Sequence, residues 1–248
     1  MMSRTAVVTG GGSGLGMSIA IRLAADGKHV GVLDLNTEAA EKTATEIQAA
    51  GGRAIALGVD VSDEDAVAET FNRVRGELGP VEILVTSAAI SGFSRLDKIS
   101  LDQWNRYLAV NLTGTFLSIR AALSDMVAAQ WGRIITISSA AGQKGAQGQA
   151  HYSAAKGGVI ALTKTVALDY AAKGITANTV PPFAIETPML REQQAAGKLP
   201  PDKYLNQMIP AGALGNPEDV AAVCSFLAAD DAGYVTGQVI GVNGGAVT

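Results

Sequence analysis

The chain has 248 residues, 48% hydrophobic and 17% charged, which suits one sizeable α/β core and argues against disorder. Nineteen Lys and Arg against 23 Asp and Glu give a formal charge of −4, with no basic run longer than a pair. Nucleic acid and anionic membrane surfaces are therefore poor partners, and a small molecule is expected instead. One cysteine excludes an internal disulfide, and with two histidines it leaves too few soft ligands for a usual zinc site, so the chemistry is expected to be metal-free.

Met1 to Gly10 enters a strand pattern at once, without an apolar leader. No stretch approaches ~18 uninterrupted apolar residues, so a cytoplasmic protein with no membrane span is expected. In chain order, apolar runs occur at Thr5 to Val8, Val30 to Leu35, Ala54 to Val59, Val81 to Val85, Arg133 to Ile137, Ile175 to Val180 and Gln238 to Val242. Between them the period becomes helical: Ala40, Ala44 and Ile47 share one face, as do Phe71, Val74 and Leu78. The pattern predicts seven strands and about six helices. Near-continuous apolar strands separated by helices imply a seven-stranded parallel sheet covered on both faces, a doubly wound α/β domain spanning 1–248.

Seven of the eight prolines fall between Pro181 and Pro217, where strand and helix patterns weaken. Residues 187–215 are expected to form a lid, with Met189, Leu190, Leu199, Tyr204, Leu205, Met208 and Ile209 either walling an apolar pocket or packing the lid onto the body. Cys224 shares a helical stripe with Val220, Val223 and Leu227 and reads as core.

The first strand runs into Thr9-Gly10-Gly11-Gly12-Ser13-Gly14-Leu15-Gly16, followed by a helical pattern. A glycine-rich turn between a first strand and a helix lets backbone N–H groups approach a pyrophosphate, the signature of a dinucleotide-binding Rossmann fold. Contacts are expected from Gly10, Ser13, Gly14, Leu15 and Gly16. The second strand delivers Asp34, followed by Leu35, where a carboxylate accepts hydrogen bonds from adenosine ribose hydroxyls and repels a 2′-phosphate; NAD is the expected cofactor. Asp60 and Val61 end the third strand and are read either as adenine contacts or, for Asp60, as a helix cap.

Tyr152 and Lys156 lie four residues apart, on one face of a helix. A lysine beside a phenol favours the phenolate, and this predicts a Tyr152 pKa lowered toward neutrality, fit for general acid/base work. Thirteen residues upstream of Tyr152, at the carboxyl end of the fifth strand, Ser139 can hold a carbonyl oxygen; Ser138 is its rival.

Taken in order, the TGGGSGLG turn, Asp60, Asn111, Ser139, Tyr152, Lys156 and the closing Val242-Asn243-Gly244-Gly245 resemble the classical short-chain dehydrogenase/reductase family over the whole chain. The resemblance selects Ser139 over Ser138 and matches Val110-Asn111-Leu112 to the family's catalytic asparagine segment. It implies that Ser139 orients a carbonyl, Tyr152 exchanges its proton, Lys156 binds the nicotinamide ribose, and Asn111 holds a water that relays protons. It also implies carboxamide contacts from Ile185 and Thr187, and a homotetramer built on paired helices, with Leu162, Val166 and Tyr170 available for contact. Two departures stand out: Thr86-Ser87-Ala88-Ala89 replaces the family's usual Asn-Asn-Ala-Gly beside the cofactor, and Pro182-Phe183 replaces Pro-Gly. Ser87, Ala88 and Ala89 remain expected cofactor contacts.

The resemblance implies interconversion of a secondary alcohol and a ketone by direct hydride transfer. A 3-oxoacyl-CoA or acyl-carrier-protein reductase is the alternative, although the segment Ala121 to Trp131 has no Lys or Arg to meet an acidic carrier protein. A dinucleotide-sensing protein without turnover is the alternative of another class; it predicts loss of Ser139, Tyr152 or Lys156, and all three are present.

Overall fold

The computed structural model describes residues 3–248. Six strands, β1 (Thr5–Thr9), β2 (His29–Asp34), β3 (Arg53–Gly58), β4 (Val81–Thr86), β5 (Gly132–Ile137) and β6 (Ile175–Val180), form one parallel sheet in the order β3-β2-β1-β4-β5-β6. The order reverses between β1 and β4, and a crevice opens outside the carboxyl ends of these two strands.

The strands are mostly apolar because helices cover both faces, and the polar residues buried among them, such as Thr5, Thr136, Asn178 and Thr179, are hydrogen-bonded. On one face lie α1 (Gly14–Ala25), α2 (Thr37–Ala49) and α10 (Pro217–Leu227), contributing Ile19, Leu23, Ala44, Ile47, Val220 and Leu227 to the core. On the other lie α3 (Glu64–Leu78), α5 (Gly114–Ala129) and α7 (Ala150–Tyr170), contributing Phe71, Val74, Leu117, Met126 and Val166. Phe71 is 1% exposed, and its truncation to Ala would cost about 3–5 kcal/mol. Cys224 is fully buried in the first layer, and burial pushes its thiol up to about 12, so it packs and does not react.

The predicted seventh strand is not formed. Gln238 to Val242 runs parallel to β6 but touches it only through isolated bridges, Thr179 to Val239 and Pro182 to Val242. Thr179 N–H donates to the Gln238 carbonyl and Ile240 N–H to the Thr179 carbonyl, each at 2.9 Å. The next donor in that ladder would be residue 181, a proline with no N–H, so the ladder is interrupted there and Pro182 to Val242 remains a separate bridge.

Ten α-helices are present among the described residues, more than the six expected. The additional ones are short: α4 (Leu101–Leu108), α6 (Ala140–Lys144), α8 (Pro188–Ala195) and α9 (Asp202–Gln207). Three start on side-chain caps, Ser100, Ser139 and Thr187, a local signal too brief to register as periodicity. Helices α8 and α9 fall within 187–215, the segment expected as a lid. Between α4 and α5 the chain widens into a π-turn, Ala109–Thr113, which carries Asn111. Among the described residues no helix is long and apolar enough to cross a membrane.

Candidate active site

The crevice at the β1/β4 switch opens into a cavity of about 760 Å³. Every residue expected from the motifs to touch the cofactor or the reacting group lines it, except Asn111; of the lid residues, Met189, Leu190, Leu199 and Leu205 line it and Tyr204, Met208 and Ile209 do not. The glycine turn is held against the loop after β4. A methyl group at Gly16 would sit 2.0 Å from the Gly10 carbonyl oxygen, and one at Gly10 would sit 2.7 Å from the Ala88 Cα. Gly10 and Gly14 take φ of 67° and 52°, the left-handed region that favours glycine. Ser13 precedes α1 without capping it through its side chain, so N–H groups of the first turn face the cavity unsatisfied by a cap. That cradle fits a pyrophosphate.

At the far end of the turn, the Asp34 carboxylate accepts the Gly12 and Asn36 N–H groups, each at 2.9 Å. Leu35 beside it is 75% exposed. The nearest following cation, Lys42, is paired with Glu38 at 2.8 Å and does not serve Asp34. Asp60 accepts the Ser62 hydroxyl at 2.6 Å and the Ser62 N–H at 2.9 Å, which hold its carboxyl below the usual range. The cap of α3 is Asp63, whose carboxylate accepts Ala66 N–H at 3.0 Å; Asp60 therefore stays on the cavity wall and is not the helix cap.

The two serines separate cleanly. The Ser138 hydroxyl is buried and accepts Thr179 Oγ1 at 2.8 Å. Ser139 Oγ caps α6 by accepting Ala141 N–H at 3.1 Å and stands beside the Tyr152 phenol, whose pKa it lowers against the effect of burial. Lys156 is 2% exposed; its Nζ donates to the Ile137 carbonyl at 2.8 Å and lies 5.8 Å from the centre of the Tyr152 ring. Burial lowers its pKa to about 8.

One sequence expectation is corrected. The Tyr152 phenol is raised, not lowered: burial dominates, the Ser139 hydrogen bond opposes it, and Tyr107 raises it further. Lys156 spends its charge on the Ile137 carbonyl rather than at the phenol oxygen. Tyr152 thus stands as a protonated donor near neutral pH.

Asn111 is fully buried outside the cavity. Its Oδ1 accepts Ile90 N–H at 3.2 Å, and its Nδ2 donates to the Ile90 and Tyr107 carbonyls at 3.1 and 3.0 Å. In this arrangement its side chain staples the loop after β4 to the π-turn.

Beyond the dinucleotide cradle, Phe93, Phe183, Met189, Leu190, Leu199 and Leu205 give the cavity an apolar wall. The Phe183 ring lies under Lys144 Nζ at 4.8 Å. Sequence reasoning missed the polar residues of this end. Gln149 Nε2 donates to Ser91 Oγ, and Gln193 Nε2 to the Ser91 carbonyl, each at 3.3 Å. Gln149 lies three residues before Tyr152, and that one-turn spacing was the available signal. Among the described residues no group of three or more His, Cys, Asp or Glu is placed to hold a metal ion.

A family model described as Enoyl-(Acyl carrier protein) reductase matches residues 10–247. The chain is 42% identical to an acetoacetyl-CoA reductase of Shinella zoogloeoides, covering 98% of each chain. It is 40% identical to a (3R)-3-hydroxyacyl-CoA dehydrogenase of Canis lupus familiaris, over 99% of this chain and 96% of the relative. It is 39% identical to a 3-oxoacyl-[acyl-carrier-protein] reductase of Synechocystis sp., over 100% and 98%.

Proposed function

The chain belongs to the short-chain dehydrogenase/reductase family, and from that premise we propose that it interconverts the 3-oxo and 3-hydroxy forms of a short acyl thioester with NAD(H). The observation that carries this reading is the convergence of Ser139, Tyr152 and Lys156 on one cavity with the glycine turn. Relatives matched over nearly their full length carry names of 3-oxoacyl or 3-hydroxyacyl thioester enzymes. This favours the thioester over the general secondary alcohol expected first.

When bound, the dinucleotide supplies or accepts the hydride at the carbonyl carbon. Ser139 accepts Ala141 N–H and keeps its own proton to give, so it can hold the substrate oxygen beside the phenol. The raised phenol of Tyr152 gives its proton to that oxygen during reduction and takes it back in oxidation. Lys156, anchored on the Ile137 carbonyl, would offer its ammonium to the nicotinamide ribose. The glycine turn and the free N–H groups of α1 would hold the pyrophosphate, Asp34 the adenosine ribose, and Ile185 and Thr187 the carboxamide. Asn111 holds the loop that shapes the cofactor pocket.

CoA thioesters are favoured over carrier-protein thioesters. The end of α5 carries no cation, and Arg120 before it is paired with Glu64 at 2.5 Å. Oxidation of NADH with acetoacetyl-CoA, an acetoacetyl carrier protein and simple cyclic ketones tests the substrate. The CoA thioester is expected to give the highest kcat/KM; faster, salt-sensitive use of the carrier protein would overturn the CoA assignment. A ketone used better than either thioester would return the reading to a general alcohol dehydrogenase, which the apolar wall around Phe183 would also serve.

A further inference from the structure

The residue before Tyr152 is a buried histidine to which the mechanism gives no part. His151 is fully buried, and its ring stacks on Tyr107 with centroids 3.7 Å apart and planes 6° apart. Its Nδ1 accepts the Tyr152 backbone N–H at 2.9 Å, and its Nε2 lies 3.4 Å from the Gln103 amide nitrogen, so that with the proton on Nε2 the Gln103 amide is turned to present its oxygen as acceptor.

This bond meets a specific need. The first N–H groups of a helix have no partner within it, and Tyr152 is the third residue of α7. The carbonyl four residues back, Gly148, is taken by Ser94 N–H at 2.8 Å. Gln149, at the N-cap position, makes no side-chain cap because its amide goes to Ser91. The ordinary capping routes are thus closed at the residue whose side chain must be placed most accurately.

We infer that His151 is a positioning residue, which fixes the Tyr152 backbone through Nδ1 and ties it through the Tyr107 ring to the Asn111 π-turn. Tyr107 completes the tie, since its carbonyl accepts from Asn111 Nδ2 at 3.0 Å. The arrangement requires a neutral imidazole with its proton on Nε2. Burial depresses the His151 pKa and so favours that neutral form. The inference rests on Tyr152 being the proton donor.

Two variants separate the acceptor from the ring. His151→Phe keeps a flat ring for Tyr107 and removes the acceptor; kcat is expected to fall about tenfold with the NADH dissociation constant unchanged. His151→Asn places an amide oxygen where Nδ1 stood and is expected to recover most of that loss. An unaltered kcat in His151→Phe, or no recovery in His151→Asn, would overturn the inference. A further measurement needs no variant. The chain has two histidines, so imidazole ¹⁵N resonances of the unaltered protein are readily assigned, and His151 is expected as the Nε2–H tautomer. A proton on Nδ1 would overturn the inference even if the variants do not fold. Turnover retained in Tyr152→Phe would instead defeat the underlying reading of the acid/base, and the two failures are distinct.

Discussion

The Lys156 ammonium donates to the Ile137 carbonyl at 2.8 Å from a site that leaves the residue 2% exposed. A strand-end carbonyl thereby fixes the cation at the carboxyl edge of the sheet, where the dinucleotide would lie.

Burying this charge costs stability, and the sign follows from its pKa, about 8 in the fold against 10.5 for an unburied lysine. Below pH 8 the lysine is charged in both folded and unfolded chains and the cost is fully present. Between 8 and 10.5 the unfolded chain holds the extra proton, and the cost is relieved as pH rises. Lys156→Met is therefore expected to be more stable than the unaltered protein by up to about 3 kcal/mol at pH 7. The gap should close toward pH 10.5, and cofactor affinity and turnover should fall at every pH. Denaturant unfolding of both proteins without cofactor checks this; a gap independent of pH would contradict it.

Ser138 and Ser139 are adjacent and face different tasks. Ser139→Ala is expected to lower kcat about a hundredfold, by removing a donor at the reacting oxygen. Ser138→Ala loses a buried hydrogen bond to Thr179 and is expected to cost about 1 kcal/mol while leaving kcat within about twofold. Steady-state kinetics and unfolding curves of both variants separate the roles.

Much of this was readable before the fold. Alternation of apolar runs and helical faces locates six strands, because the middles of strands such as β1 and β2 are buried on both sides and are apolar. The seventh run looks equally apolar, and what breaks its ladder into isolated bridges is Pro181 on the neighbouring segment, a fact about its partner. Glycine spacing locates the cradle because only glycine leaves room at Gly10 and Gly16. The Tyr152 pKa was misjudged because spacing places Lys156 near the phenol but does not show that the Ile137 carbonyl takes its ammonium. Asn111 was found only through the family resemblance, and His151 was not found, for a similar reason: both act on backbone groups, at Ile90 and Tyr152, which any sequence supplies.

Asp34 makes cofactor choice a sharp expectation. Its carboxylate is fixed against Gly12, and a 2′-phosphate beside it would meet like charge with Lys42 already paired to Glu38. A preference for NADH over NADPH on the order of a hundredfold in kcat/KM is expected. Asp34→Ala combined with Leu35→Arg should raise NADPH use and lower NADH use together. Equal use of both cofactors by the unaltered protein would contradict the assignment.

Assembly is expected to be tetrameric, as the family resemblance implies, with Leu162 and Tyr170 still partly exposed for contact but Val166 removed from it. Val166 is buried in the protomer's own core, with Leu162 and Tyr170 packed against it, while Leu168 on α7 is 83% exposed and Phe116 on α5 is 43% exposed. Light scattering should give a particle of about 100 kDa, and Leu168→Glu should shift it toward the 25.3 kDa protomer. A protomer-sized particle from the unaltered protein would contradict tetramer formation.

In the proposed reaction the Tyr152 phenol exchanges the proton that accompanies hydride transfer. Tyr152→Phe removes one hydroxyl and leaves the glycine cradle, Asp34 and Lys156 in place. The decisive measurement is NADH oxidation with acetoacetyl-CoA by this variant, paired with an NADH binding titration. A fall in kcat of at least about 10³-fold is expected, with NADH affinity within a few-fold of the unaltered protein. Turnover at the unaltered rate with NADH still bound would contradict it.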